Sequence, residues 1–431
     1  MNTIDWVTGD LLNMDIPAHE EALREGGEAF LTEAFRAVGA LDKNNHVTAI
    51  TRIRECPGGS TGRKLLLSVN YSTPSPDLHT ELFVKFSRDF SDEIRDRAKN
   101  QLEPEVHLAL LSRNPGFPIA VPTCYFADYH RASGTGILIT QSIPFGEQGI
   151  EPLYEKCLDY ELPQPLEHYR AIFQALGSLA GTQKSGRLTD DIARHFPFDI
   201  SRQAVNQPIR YNLEQLQRRI DKFAVFAASF SHLLPADITS NQFIERMKQE
   251  LPKLLQQEQA IKDYLHNKPD FIALMHWNAN IDNAWFWRDS AGELQCGLMD
   301  WGMVSQMNIA SALWGALSAA ELELWNEHLD ELLLLFAQEY QRAGGPQLDP
   351  EEIKKQLILS AILLGLSWLM DAPAMIQREI PDLSSVENRF DIRFKSNESA
   401  RAQLQMFSNV LNLWQRHDIA GILETVSGVF E

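Results

Sequence analysis

Cysteine is scarce in this chain and forms no recognisable motif. The four cysteines show neither a CxxC spacing nor a histidine at zinc-ligand spacing: Cys56, Cys124, Cys157 and Cys296. A zinc ribbon and a disulfide framework both need cysteines at short, defined spacings, so the pattern argues against each of them. These residues are expected to be ordinary reduced thiols.

Positive charge is also in deficit. The chain has 39 Lys and Arg against 58 Asp and Glu, which gives a formal net charge of -19 and a pI near 5.1. Nucleic-acid binding normally draws on a basic face, so this balance argues against a nucleic-acid partner. Small molecules are the expected partners.

Long apolar runs are missing as well. The longest uncharged stretch, residues 301–320, is interrupted by polar side chains, and residues 357–370 are too few to cross a bilayer. The opening residues, MNTIDWVTGDLL, lack the basic start and apolar run of a secretory signal. We therefore expect no membrane partner and a cytoplasmic location.

The pattern along the chain changes in a defined order. Residues 1–40 have acidic, helix-like spacing and are predicted to form a helical segment. Residues 41–146 contain short β-rich runs separated by Gly- and Pro-rich breaks, which indicate antiparallel strands. Residues 147–431 show mainly helical periodicity, with a β-rich insert at 271–302. This order predicts an α+β fold with two lobes, a small antiparallel sheet and a larger, mainly helical part.

The most informative residues lie in the β-rich insert. The segment HWNANIDN runs from His276 to Asn283, and an apolar strand after a predicted hairpin turn ends at Asp300-Trp301-Gly302. Phosphoryl transfer needs a divalent cation beside the β- and γ-phosphates, and amide and carboxylate oxygens are ligands that suit Mg²⁺. Asn283 and Asp300 are therefore the predicted metal ligands, because the hairpin lets residues distant in sequence converge on one cation.

In this motif the chain resembles the aminoglycoside phosphotransferase and ecdysteroid-kinase-like families, which share the protein-kinase fold. Their pattern is H-x-D-x-x-x-x-N, followed by an apolar strand that ends in Asp. His276, Asn283 and the LMDWG ending match this pattern, whereas Asn278 occupies the aspartate position. The resemblance covers roughly residues 47–317. It implies a two-lobed protein-kinase-like fold, ATP and Mg²⁺ as cofactors, and a small molecule with a hydroxyl group as acceptor.

The resemblance also implies roles for residues in the N-terminal part. Lys85, in ELFVKF, would contact the α- and β-phosphates. Glu105 would pair with it, and Glu103 competes for that role because Pro104 obscures the helix register.

Two backbone segments complete the implied nucleotide site. A glycine-rich turn would cover the phosphates with its N–H groups, although a hairpin turn without a ligand explains the glycines equally well. Backbone groups in the link between the lobes would face adenine. The residues are Gly59, Ser60, Thr61 and Gly62 in the turn, and Gln141 and Ser142 in the link.

Asn278 decides whether the chain is an enzyme. An aspartate there would accept the proton of the attacking hydroxyl, which is worth about a hundred- to ten-thousand-fold in rate. A neutral amide can only orient that hydroxyl.

Three functions are left open by this change. The first is a small-molecule kinase in which Asp282, a phosphate oxygen or water replaces the base. The second is a nucleotide-binding pseudokinase that acts by binding a partner, and the third is a kinase-fold enzyme that transfers a nucleotidyl group. The first is our prediction, with Asn278 and Asp282 as catalytic residues. For Asp282 taken alone, an exposed turn is preferred to a displaced base, because adjacent side chains in an extended loop tend to point apart. The acceptor and the oligomeric state are left open.

Overall fold

The computed structural model describes residues 4–56 and 61–427. The chain forms two units that are each discontinuous in sequence. Unit 1 draws on Met1–Glu151, Leu188–Phe196 and Gly297–Val304, and unit 2 on Pro152–Arg187, Pro197–Cys296 and Ser305–Glu431. The short segments 188–196 and 297–304 therefore belong with the N-terminal sheet, although the sequence places them within the helical part.

Unit 1 is built on a five-stranded antiparallel sheet. Its elements are β1 (Trp6–Thr8), β2 (Asp15–Pro17), α1 (Glu20–Ala37), β3 (Val47–Glu55), β4 (Arg63–Tyr71), β5 (Glu81–Phe86), α2 (Glu93–Arg97), α3 (Leu102–Leu111), β6 (Cys124–His130), β7 (Thr135–Gln141) and α5 (Ile192–His195). The strand order in the sheet is β3-β4-β5-β7-β6.

Side-chain alternation gives the sheet two different faces. One face packs against α1 through an apolar cluster that includes Leu65, Leu67, Leu82, Val84, Leu31 and Phe35. The other face is covered in part by α3, where Leu102 and Val106 pack beside Ala127 and Leu138. Even-numbered residues of β4 and odd-numbered residues of β5 therefore point to the α3 side.

The first forty residues contain a β-ribbon as well as a helix. β1 pairs with β2 in the antiparallel register Trp6↔Pro17 to Thr8↔Asp15. Helix α1 begins only afterwards, and the His19 ring nitrogen accepts a hydrogen bond from the Ala22 N–H at its start. The helical prediction for residues 1–40 misses the ribbon because strands of three residues are too short to show an alternating pattern.

Unit 2 is mainly helical. Its elements are α4 (Pro165–Lys184), α6 (Leu213–Ser229), α7 (Asn241–Gln256), α8 (Glu258–His266), β8 (Ile272–Met275), β9 (Ala284–Arg288), β10 (Leu294–Leu298), β11 (Ser305–Asn308), α9 (Ile309–Leu317), α10 (Leu329–Arg342), α11 (Pro350–Leu364), α12 (Ala372–Glu379), α13 (Ile392–Lys395), α14 (Glu398–Arg416) and α15 (Ile419–Ser427). The last two residues of β10 are counted with unit 1.

The β-rich insert predicted at residues 271–302 is present as β8, β9 and β10. β9 and β10 form the predicted hairpin, and β8 pairs antiparallel with β11. A small antiparallel sheet in unit 1 and a larger, mainly helical unit 2 confirm the predicted α+β class.

No single helix within residues 4–56 and 61–427 has the length and apolar character needed to cross a membrane. One pair of consecutive helical segments, Pro350–Leu369 and Ala372–Glu379, meets the length and composition criteria together but is bent by 50°.

Candidate functional site

Lys85 lies at the centre of an ion-pair cluster in unit 1, the Lys85 cluster, which Glu105 and Asp300 complete. Its ammonium donates to Glu105 Oε2 at 2.7 Å and to Asp300 Oδ1 at 2.6 Å. Lys85 is 4% exposed and Glu105 is 6% exposed. Glu103, the competing candidate, instead accepts a hydrogen bond from Arg131 Nε at 2.6 Å. Pro104 lies in the first turn of α3, where its missing N–H is tolerated, and Glu105 is the residue that pairs with Lys85.

The charges in this cluster keep the lysine protonated. Burial alone would lower the pKa of Lys85, but Glu105 and Asp300 outweigh burial and raise that pKa above its ordinary value. Burial raises the pKa of Glu105, and the charge of Lys85 opposes this shift. Hydrogen bonds between charged partners are roughly twice as strong as neutral ones. Lys85 is therefore a fixed cation, as contact with an anionic ligand requires.

Asp300 reaches Lys85 from a loop with unusual backbone geometry. Asp300 and Met303 both have positive φ, at 57° and 65°. Left-handed backbone at non-glycine residues costs on the order of 1–3 kcal/mol and persists only where the surroundings hold it. The Trp301 indole donates to the Leu298 carbonyl at 2.8 Å, and the Met303 N–H donates to the Gln101 carbonyl at 3.2 Å. These bonds tie the loop to β10 and to the start of α3.

The glycine-rich turn is described only in part. Gly59 and Ser60 lie outside the described residues, whereas Thr61 and Gly62 lie in the bend directly before β4. Gly62 has φ of 49°, and a Cβ there would lie 1.8 Å from the Phe86 carbonyl oxygen. Only glycine fits at this position, so the turn joins β4 at a fixed point. Its role in covering phosphates stays a prediction.

The two predicted adenine-facing residues already use their N–H groups in the sheet. The Gln141 N–H donates to the Thr123 carbonyl at 2.8 Å, and the Ser142 N–H donates to the Glu81 carbonyl at 3.0 Å. A nucleotide base would therefore have to contact other atoms of Gln141 and Ser142, and that contact stays a prediction.

In unit 2, the loop between β8 and β9 holds Asn278 by its backbone. The Asn278 N–H donates to His276 Nδ1 at 3.2 Å. The Asn278 carbonyl accepts from the Asn280 N–H at 2.7 Å and from Asn283 Nδ2 at 2.9 Å. The side-chain oxygen Oδ1 of Asn278 is buried and has no hydrogen-bond partner within the described ranges. The backbone position of Asn278 is thus set by its neighbours, and its amide oxygen takes no part in holding the loop.

Helix α9 supports the same loop through a glycine. A Cβ on Gly315 would lie 1.8 Å from the Trp277 carbonyl oxygen. Asn280 is 1% exposed, and its amide nitrogen, once oriented to donate, lies 3.0 Å from the Gly315 carbonyl oxygen. The helix backbone therefore contacts the loop directly at the residues that flank Asn278.

Asp282 forms an ion pair inside unit 2. It lies in the single turn of 3₁₀ helix Ile281–Asn283, and its Oδ2 lies 3.3 Å from Lys156 Nζ. The Asp282 and Lys156 side chains are 24% and 20% exposed, so Asp282 does lie in a turn but is only partly exposed there. The other oxygen, Oδ1, is buried and has no hydrogen-bond partner in the part of unit 2 that is described. Burial raises the pKa of Asp282, and Lys156 opposes that shift.

The predicted metal ligands offer the right donor atoms. Asn283 is 7% exposed, and the bond from its Nδ2 to Asn278 leaves Oδ1 as the atom able to bind a cation. The carboxylate of Asp300 is 49% exposed beside Lys85. An amide oxygen and a carboxylate are hard donors that suit Mg²⁺. Asp300 belongs to unit 1 and Asn283 to unit 2, and their metal role stays a prediction.

The structure adds residues that the sequence analysis did not identify. Lys156 pairs with Asp282, and Lys64 lies opposite Lys85 in the β4–β5 register. Asp159 is fully buried and accepts a hydrogen bond from the Tyr169 hydroxyl at 2.6 Å. Register could have indicated Lys64 once β4 and β5 were aligned, but no local pattern indicates Lys156 or Asp159.

No protein-family model matches the chain, and no curated protein matches it. Solved structures do match. A choline kinase from Cryptosporidium parvum is 15% identical, with 89% of this chain and 94% of that chain covered and a TM-score of 0.41.

Two further solved structures are similar at comparable levels. A choline/ethanolamine kinase family protein from Mesorhizobium loti is 15% identical, with coverage of 89% and 99% and a TM-score of 0.36. An aminoglycoside-3'-phosphotransferase of type VIII is 18% identical, with coverage of 78% and 98% and a TM-score of 0.35. Such low scores carry no conclusion about the chemistry of this chain.

Proposed function

We propose that the protein is an ATP-dependent phosphotransferase that acts on a hydroxyl group of a small molecule. The observation that carries the proposal is the buried Lys85–Glu105 pair together with the half-exposed carboxylate of Asp300. A lysine held between two carboxylates, 4% exposed and kept charged, is costly to bury without a use. Contact between the Lys85 ammonium and nucleotide phosphates would be such a use.

Magnesium is the cofactor that the donor set supports. Asp300 and Asn283 would hold it, and it would neutralise the phosphate charge that develops during transfer. Asp300 bonds to Lys85 through Oδ1, so the lysine and the metal would share one carboxylate. The chain's own contribution is the orientation of these groups before the nucleotide binds.

Asp282 is the residue we assign to proton acceptance, and Asn278 the residue that orients the hydroxyl. One oxygen of Asp282 is held by Lys156, and the other has no partner among the residues described in unit 2. A carboxylate with one oxygen held by a lysine and the other without a hydrogen-bond partner is suited to accept a proton. The Asn278 amide oxygen, also without a partner in the described loop, can accept a hydrogen bond from the hydroxyl.

Binding and turnover should be tested separately. Binding is measured as the shift in melting temperature with Mg²⁺ and ATP, for the wild type and for Asp300→Asn. Asparagine tolerates the left-handed backbone at position 300 and removes only the charge. Asp42→Asn, at an exposed site of the same unit, is the matched control. We expect a shift for the wild type and the control and a much smaller one for Asp300→Asn.

Turnover is measured with ATP labelled at the α- or the γ-phosphate and a panel of hydroxyl acceptors. The panel includes choline, ethanolamine, spectinomycin and an aminoglycoside, because these acceptors are named for the similar solved structures. Transfer of the γ-label supports the proposal, and Asn278→Asp should increase it. Transfer of the α-label would indicate a nucleotidyl transferase. Binding without any transfer would indicate a pseudokinase, and absence of ATP binding would contradict all three.

A further inference from the structure

A second lysine lies on the same face of the sheet as Lys85. Lys64 in β4 is the direct cross-strand partner of Lys85 in β5. Direct partners in an antiparallel pair project from the same face, with Cβ atoms about 4.5–5.5 Å apart. Lys64 therefore lies on the α3 side of the sheet, next to the Lys85 cluster.

Lys64 is not neutralised as Lys85 is. Glu105 and Asp300, the two carboxylates of the cluster, both accept hydrogen bonds from Lys85. Lys64 is half-buried and has no salt bridge or side-chain hydrogen bond within residues 4–56 and 61–427. Burial lowers the pKa of Lys64, while the charge of Asp300 opposes this shift. Lys64 is thus near the cluster but outside its hydrogen bonds.

This arrangement has a free-energy cost in the protein alone. Like charges directly opposite each other on a sheet are destabilising. Partial removal of an ammonium from water without a paired partner adds to that cost. The four side chains Lys64, Lys85, Glu105 and Asp300 carry no net charge together, so a divalent cation held by Asp300 would leave the group positive. A polyanion bound to this face would then offset both costs.

We propose that Lys64 is a second phosphate-contacting lysine of the nucleotide site, beside Lys85. The inference rests on the proposed function, since it assumes that a nucleotide binds on the α3 side of the sheet. Gly62 supports the placement of Lys64 beside Lys85. The Gly62 backbone lies so close to the Phe86 carbonyl that only glycine fits, and this contact fixes the path of the chain two residues before Lys64. A contact between Lys64 and phosphate would raise the affinity for ligands that carry a phosphate chain, whichever base they carry.

The test is the binding of ATP, ADP and adenosine by calorimetry with Mg²⁺, using Lys64→Met and Lys64→Arg. Hydrogen bonds to charged groups are worth about 1.5–3 kcal/mol, so Lys64→Met should weaken ATP binding by about tenfold or more. Adenosine affinity should not change, and Lys64→Arg should retain most of the ATP affinity. Lys43→Met, at an exposed lysine of the same unit, should bind ATP like the wild type.

The outcomes separate this inference from the proposed function. ATP affinity of Lys64→Met within about twofold of the wild type overturns the role of Lys64 and leaves the proposed function intact. An equal loss of ATP and adenosine affinity also overturns it, because it indicates a packing role. Failure of the wild type to bind ATP overturns the proposed function and this inference together.

Discussion

Removal of Lys85 should reveal how much the stability of the Lys85 cluster depends on the charge of the lysine. In Lys85→Met, Glu105 remains 6% exposed in the native structure and loses its cation, whereas Asp300 is 49% exposed and can be hydrated. Breaking a buried pair by removing one partner typically costs about 3–5 kcal/mol. Because one of the two carboxylates is half in water, we expect a loss near the lower end, about 3 kcal/mol.

The double variant Lys85→Met/Glu105→Leu separates charge from volume. Replacement of a whole buried ion pair by apolar side chains is often neutral or stabilising. We therefore expect the double variant to regain most of the stability that the single variant loses. The single variant should also recover at lower pH: without the lysine, the pKa of Glu105 lies above its unfolded value, so stability rises as pH falls and Glu105 takes up a proton.

The measurement is the opening free energy from hydrogen exchange of the β4, β5 and α3 amides, which reports on unit 1 without assuming two-state unfolding of the whole chain. Lys43→Met is the matched control, with no expected change. Two results would refute the reasoning: a loss below about 1 kcal/mol in Lys85→Met, or a double variant as unstable as the single one.

Three further predictions concern unit 2. Gly315→Ala should destabilise it by about 1–3 kcal/mol in urea unfolding, because the added Cβ would lie 1.8 Å from the Trp277 carbonyl oxygen; Gly116→Ala, at an open site in unit 1, should have little effect. Burial raises the pKa of Asp159 to about 8, so between about pH 4 and pH 8 the folded state holds a proton that the unfolded state lacks. The free energy of unfolding should therefore fall by about 1.4 kcal/mol for each unit by which the pH rises in this range. Asp159→Asn should remove this slope in urea midpoints measured from pH 5 to 8; an unchanged slope would contradict the assignment. If Asp282 accepts the proton, the turnover rate should rise with pH through a pKa above the usual aspartate range. Asp282→Asn should remove this rise from the pH–rate profile and leave the ATP affinity unchanged.

The sequence predicts the parts of the site that lie in a short segment. The spacing from His276 to Asn283 and the end of an apolar strand at Asp300 are local patterns, so both were readable. The choice between Glu103 and Glu105 was not, since it depends on where α3 begins relative to Pro104. The structure shows Glu105 paired with Lys85 and Glu103 paired with Arg131.

Other residues could not be predicted because their partners come from distant segments. Lys156 meets Asp282 only once the helical unit is folded, and no spacing links the two. Lys64 needs the β4–β5 register, which depends on strand ends that the sequence does not define. The three-residue strands of the N-terminal ribbon were missed for a different reason: they are too short for alternation to show.

Asn278 changes the chemistry of its loop without changing the loop's architecture. The backbone there is held by His276, Asn280 and Asn283, through bonds to the N–H and carbonyl of Asn278 and not to its side chain. Since Asn and Asp have nearly the same shape, the same backbone would hold either residue. A carboxylate at position 278 would lie where the amide oxygen is now buried without a partner in the described loop. The difference between the two residues is therefore one of proton affinity, and this is why the proposed function assigns proton acceptance to Asp282, the carboxylate of the same loop that pairs with Lys156.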